Sequence, residues 1–314
     1  MKAIQTISTV SADRLTAARA RDVPTDRTTT ERAAWRLHPW IAAMGLAGFV
    51  LLTGCANPGE APPPMLRAAA GQSRIGEEAY LAGRPAKGVP ALAEAVRLHL
   101  AAGDLPGAAH GLLNLALAQR GAGDVAAAAA TAERLHDLIP AARQQAQERG
   151  GAEDPSPDLA AASTWLEALL AVDRGDSAAA ASLLGFPTEK LPAASPWTGR
   201  LETLRAEVAL GDGRFADAIA RAEIGQAASA AAHDRAEEAR ALRLAGAAHV
   251  RLGHWIEARA KFLASVRVEE TLGGGARMAG DLAQLATIAE HLGDTAEAEL
   301  YTRRARAITA ARNR

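Results

Sequence analysis

At 314 residues, 49% hydrophobic but only 4% aromatic, the chain is of ordinary length and poor in large side chains. Its formal net charge of −1 lacks the basic excess of a nucleic-acid binder, so no nucleic-acid partner is expected. Helix formers dominate and no run of β-branched residues marks a strand, which leaves an all-α fold with a thin, alanine-based core.

Residues 1–39 mix Thr, Arg and Asp without periodicity and hold Pro24 and Pro39. From Trp40 to Leu52 the chain runs WIAAMGLAGFVLL, thirteen residues without a charge. That falls short of the ~20 residues a membrane-spanning helix needs. It suits a signal-peptide core of roughly 7–15 residues, with Arg32 and Arg36 as its positive flank. Leu52-Thr53-Gly54-Cys55 follows, and Cys55 is the one cysteine in the chain. This run resembles the lipobox of bacterial lipoproteins. The resemblance implies that residues 1–54 are removed as a signal, that the Cys55 thiol carries a diacylglyceryl group and that its new amine is acylated. Several acyl chains, at about 0.8 kcal/mol per buried methylene, make a stable membrane anchor. A leader this long, holding Asp13, Asp22, Asp26 and Glu31, points to a start codon assigned too early. Ala56 in place of aspartate after the cysteine implies the outer membrane, facing the periplasm. The mature chain carries 28 basic and 32 acidic side chains, a net of −4. With no second cysteine it forms no internal disulfide. The segment 55–68, with ANPGEAPPPMLR after the cysteine, reads as a polyproline-like tether extended at about 3.1 Å per residue.

Beyond the tether one punctuation recurs. Gly83, Gly123, Gly175, Gly213, Gly253 and Gly293 follow one another at spacings of 40, 52, 38, 40 and 40 residues. Seven before them stand Gly76, Ala116, Ala168, Ala206, Gly246 and Ala286; five after stand Gly88, Ala128, Ala180, Ala218, Ala258 and Ala298. A glycine that ends one helix in the left-handed conformation, flanked by small residues on both helices, predicts a close antiparallel hairpin. A hairpin of this kind cannot bury its apolar face alone, so its neighbours stack on it.

The pattern resembles the tetratricopeptide repeat, whose small positions these residues match. Phe215 and Trp255 supply the aromatic after the turn, and Pro140 the repeat's terminal proline in the second unit only. The resemblance implies a right-handed superhelical solenoid of about six helix-turn-helix units, each of about 40 residues rather than the usual 34. Units one and two cover 69–140, a polar Gly- and Pro-containing loop covers 141–157, and units three to six cover 158–311. In unit three, Phe186-Pro187 and Pro192 cut the second helix short.

Catalytic patterns are scarce: the chain has no HExxH and no GxSxG, and no enzyme activity, metal, cofactor or small-molecule substrate is expected. His249 and His254 lie five apart across a helix end and do not share a face as a metal pair would. The resemblance places Arg240, Arg243, Ala247, Val250 and Arg251 of unit five on the inner groove. Arg200 and Glu207 of unit four join them, with His110, Leu113 and Leu117 of unit two. Three arginines on one helix face would grip a carboxylate-bearing peptide. The competing reading is a solvated face paired with Glu237 and Glu238. The expectation is a lipid-anchored, non-catalytic adaptor that binds a protein partner or peptide segment in envelope, pilus or secretion assembly. The alternatives are a cytoplasmic regulatory module of the same repeats, against which the lipobox weighs, and an envelope hydrolase, against which the missing catalytic cluster weighs.

Overall fold

A computed structural model describes residues 62–149, 156–192, 195–273 and 275–312. The predicted signal region, Cys55 and the first part of the predicted tether lie outside the described residues. Among those described there is no strand, and twelve α-helices follow one another. They are α1 (Pro64–Leu81), α2 (Pro85–Ala101), α3 (Leu105–Gly121), α4 (Val125–Glu148), α5 (Ser156–Asp173) and α6 (Ser177–Leu183). After a 3-10 turn at Thr188–Lys190 come α7 (Pro196–Gly211), α8 (Phe215–Ala231), α9 (Arg235–Arg251), α10 (Trp255–Leu272), α11 (Gly275–His291) and α12 (Thr295–Arg312). None of them is long and apolar enough to cross a membrane.

The turns explain the spacing. At the end of α3, Gly123 takes φ +86°, its N–H bonds to the Arg120 carbonyl at 2.9 Å, and the Asp124 N–H reaches back to Gln119 at 2.9 Å. These two bonds satisfy carbonyls the helix end leaves open. Asp124 then accepts from the Ala127 N–H at 3.0 Å and so starts α4. One Gly-Asp pair therefore stops one helix and starts the next. The other five predicted turn glycines also have positive φ. Between α8 and α9 the left-handed position falls to His233, at φ 57°.

Consecutive helices pack as antiparallel neighbours, and the small residues sit where they touch. A Cβ on Gly88 would stand 2.6 Å from the Gly76 carbonyl oxygen, so α1 and α2 meet backbone to backbone. Gly246 leaves room for the Phe262 ring, and Ala116, Ala128, Ala168, Ala180, Ala206, Ala218 and Ala258 are wholly buried. The first helix of a hairpin also packs on the first helix of the next, in the series α1, α3, α5, α7, α9. A leucine-rich core including Leu92, Leu112, Leu135, Leu166 and Leu201 joins the earlier hairpins, and Phe262, Leu282, Ile288 and Tyr301 join the last ones. Between them the contacts are mostly alanine, as in Ala206, Ala222 and Ala245.

Two boundaries differ from the sequence reading. The tether ends early, because α1 begins at Pro64 rather than after residue 68. A proline at the first helical position loses no hydrogen bond and arrives with its φ already helical. The loop predicted at 141–157 is helical as far as Glu148. Its Gln, Ala, Arg and Glu residues are good helix formers, and Gln145 clamps the stretch onto the turn before α3. Its Nε2 donates to the Gly103 carbonyl at 2.7 Å and its Oε1 accepts from the Leu105 N–H at 3.0 Å. In unit three, α6 stops after seven residues, as the prolines predicted. Arg205 replaces the missing turns by donating to the carbonyls of Leu184 and Phe186, while Glu202 accepts from Thr188 at 3.1 Å.

Candidate functional site

Each of the arginines predicted to line a groove is already engaged within the chain. Arg240 on α9 pairs with Glu237 one turn earlier at 2.9 Å and reaches Glu207 on α7. Glu238, the other expected partner on that face, instead takes Arg235 at 2.6 Å. Arg200 on α7 pairs with Asp234 at 2.8 Å, and its guanidinium lies 5.1 and 5.6 Å from the rings of Trp197 and Trp165. Arg251 lies over the Phe215 ring at 4.8 Å. These contacts tie one hairpin to the next, so a partner's carboxylate would have to displace an existing one.

Arg243 points the other way, into the contact between α9, α10 and α11. It donates to Glu269 at 2.8 Å and lies 3.6 Å from Asp281; Arg277 reaches the same Glu269 oxygen at 2.9 Å. Glu269 is 0% exposed, and its second carboxylate oxygen is buried without a partner. The Ser265 hydroxyl donates to Asp281 at 2.7 Å. Burial pushes the Asp281 carboxyl above its usual range, against the Ser265 hydrogen bond and the charge of Arg243. This cluster is a built-in ionic bolt rather than a peptide clamp.

The residues expected on the groove of unit two lie elsewhere. Leu113 is a core residue, 1% exposed, because α3 is covered on nearly every side by its neighbours. His110 is half-buried, with its Nδ1–H donating to the Pro106 carbonyl at 2.8 Å. Desolvation pushes its pKa down, which favours the neutral ring. Cys55 lies outside the described residues. His249 and His254 stand 5.8 Å apart between ring centroids.

Beside the shortened α6 lies a hollow of about 330 Å³, one of several among the described residues. Leu170, Leu183 and Ala132 contribute apolar surface to it. Glu133, Asp137 and Glu167 add three carboxylates against one cation, Arg174, with His136 Nδ1 3.1 Å from Glu167. No sequence motif marks it, because it arises where a second helix is cut short rather than from any periodic feature.

Among solved structures the chain is similar to the crystal structure of BtubC (BKLC) from P. vanneervenii, with a TM-score of 0.55 and 19% identity, over 80% of this chain and 93% of that one. At that identity the likeness shows a shared all-helical fold and nothing finer. No family model matches the chain, and no curated protein matches it.

Proposed function

We propose that this chain is a lipid-anchored, non-catalytic docking scaffold of the envelope, built as a solenoid of six tetratricopeptide-like hairpins and held to the membrane through Cys55. The observation that carries the reading is the shared register of the hairpins: the same left-handed turn and the same small-residue crossing recur along the chain. Such a stack is long and internally satisfied, and repeat arrays of this kind present extended surfaces to partners. The lipobox-like Leu52–Cys55 supports the address, and the all-helical neighbour supports the scaffold. The docking surface is the hollow beside α6, whose carboxylates and apolar floor suit a basic peptide segment of a protein partner. The arginine line instead belongs to the scaffold's own joints.

Photo-crosslinking inside cells tests this. A crosslinking amino acid at His136, on the hollow, is expected to trap a defined protein adduct; the same residue at Leu300, exposed on α12, is not. Adducts at neither position, or equal adducts at both, would remove the hollow as a docking surface.

A further inference from the structure

The first hairpin departs from what the end of a helical stack needs. Terminal units of repeat arrays carry a polar outer face, because nothing stacks on them. Of the nine large apolar side chains exposed among the described residues, four lie on α1 and α2 or their turn: Met65, Ile75, Leu81 and Leu100, at 40 to 50%. Charge is distributed unusually in the same place. Arg74 and Arg97 pair with Glu78 and Glu94, as most arginines in the later hairpins pair with carboxylates, whereas the side chains of Arg67, Arg84 and Lys87 have no hydrogen-bonding or ion-pair partner among the described residues. Residues 64–101 hold five basic and three acidic side chains, one of the acids being the buried Glu77. The remainder, 102–314, holds 23 basic and 28 acidic. An end of the molecule that is apolar and cationic, on a chain that is otherwise acidic, fits a surface that is itself apolar and anionic.

We infer that the first hairpin rests on the surface of an anionic phospholipid membrane and orients the rest of the stack away from it. This inference rests on the lipid-anchor reading. Only eight residues lie between Cys55 and Pro64, and the nine steps they span, at no more than about 3.6 Å each, keep α1 within about 32 Å of an acylated cysteine. The acyl chains therefore present the bilayer to this hairpin at high effective concentration. Exposed Ile75 and Met65 then enter the interface, and Arg67, Arg84 and Lys87 meet lipid phosphates, each favourable near an anionic surface.

The test uses the full chain, lipidated in a bacterial envelope, purified and reconstituted in vesicles of phosphatidylethanolamine and phosphatidylglycerol. With Cys55 acylated, Ile75→Cys provides one free thiol for a fluorophore, and Ile256→Cys, 66% exposed in unit five, is the control. Nitroxide-headgroup lipids are expected to quench the probe at 75 several-fold more than at 256. The difference should be lost in phosphatidylcholine vesicles, in ~1 M salt, where the screening length falls to about 3 Å, and in the Arg67→Glu/Arg84→Glu/Lys87→Glu variant. Equal quenching at the two sites, or quenching unmoved by charge reversal, overturns the inference. So does burial of the 75 probe in detergent, which would mean that a second copy covers the face. Palmitate labelling of the same preparation reports on the anchor separately. A labelled protein without selective quenching sinks the membrane contact alone; an unlabelled one sinks the anchor.

Discussion

At the scale of single residues, the fold depends on where a side chain is absent. Gly88 meets the Gly76 carbonyl so closely that even a methyl group must push two helix backbones apart. Gly88→Ala is expected to cost about 1–3 kcal/mol despite alanine's better helix propensity. Gly71→Ala, on the same hairpin with nothing within 4 Å, is expected to gain about 0.5–1 kcal/mol. Urea midpoints of the two variants decide it, and equal shifts would mean the crossing is looser than described. His233 is the converse case, a side chain at φ 57° where the corresponding turns have glycine. His233→Gly should stabilise by about 1 kcal/mol, since it removes the left-handed penalty. The turn glycines and small positions were legible because they recur at a fixed spacing. Leu113 was misplaced because the inner-groove assignment came from repeat positions alone, which do not register how closely α3 is enclosed.

At the scale of elements, the contact between α9, α10 and α11 turns on Arg243, with the more exposed Arg277 as a second cation on Glu269. Arg243 compensates two carboxylates that the packing removes from water, Glu269 and Asp281. Arg243→Met leaves them short of positive charge and should cost about 3–5 kcal/mol. Arg303→Met, in an exposed pair with Glu299, should cost under ~0.5 kcal/mol. Asp281 adds a pH dependence. Its carboxyl is held above the usual range by burial, so the folded chain keeps that proton more tightly than the unfolded one, whose value is near 3.9. The stability it contributes is full below the unfolded value and lost as pH rises through the folded one. Asp281→Asn, neutral throughout, should therefore gain on the wild type as pH rises from about 4 to about 7. Paired urea titrations at the two ends of that range check the sign. Sequence reading missed this joint because a buried acid is marked only by its partners, and those lie 26 and 8 residues away on other helices. It mistook residues 141–148 for a loop for a related reason: polarity was read as exposure, while Gln145 spends its amide on the Gly103–Leu105 turn.

At the scale of the whole molecule, the twelve helices among the described residues, with first helices packed on first helices from α1 to α9, form an array whose charges are largely satisfied within it. The succession of hairpins could be read from six glycines; the route of charge between them could not, because it depends on which hairpin faces which. The hollow beside α6 and the cationic first hairpin are both departures from the repeat, and they are where the array has surface to offer. Everything proposed for the array's role starts from its attachment. Growth with labelled palmitate, followed by mass measurement of the mature amino terminus, tests that directly. Label on the wild-type chain and a mature terminus at acylated Cys55 are expected, and neither in Cys55→Ser. Undiminished label in the serine variant, or a mature chain that retains residues ahead of position 55, would contradict it.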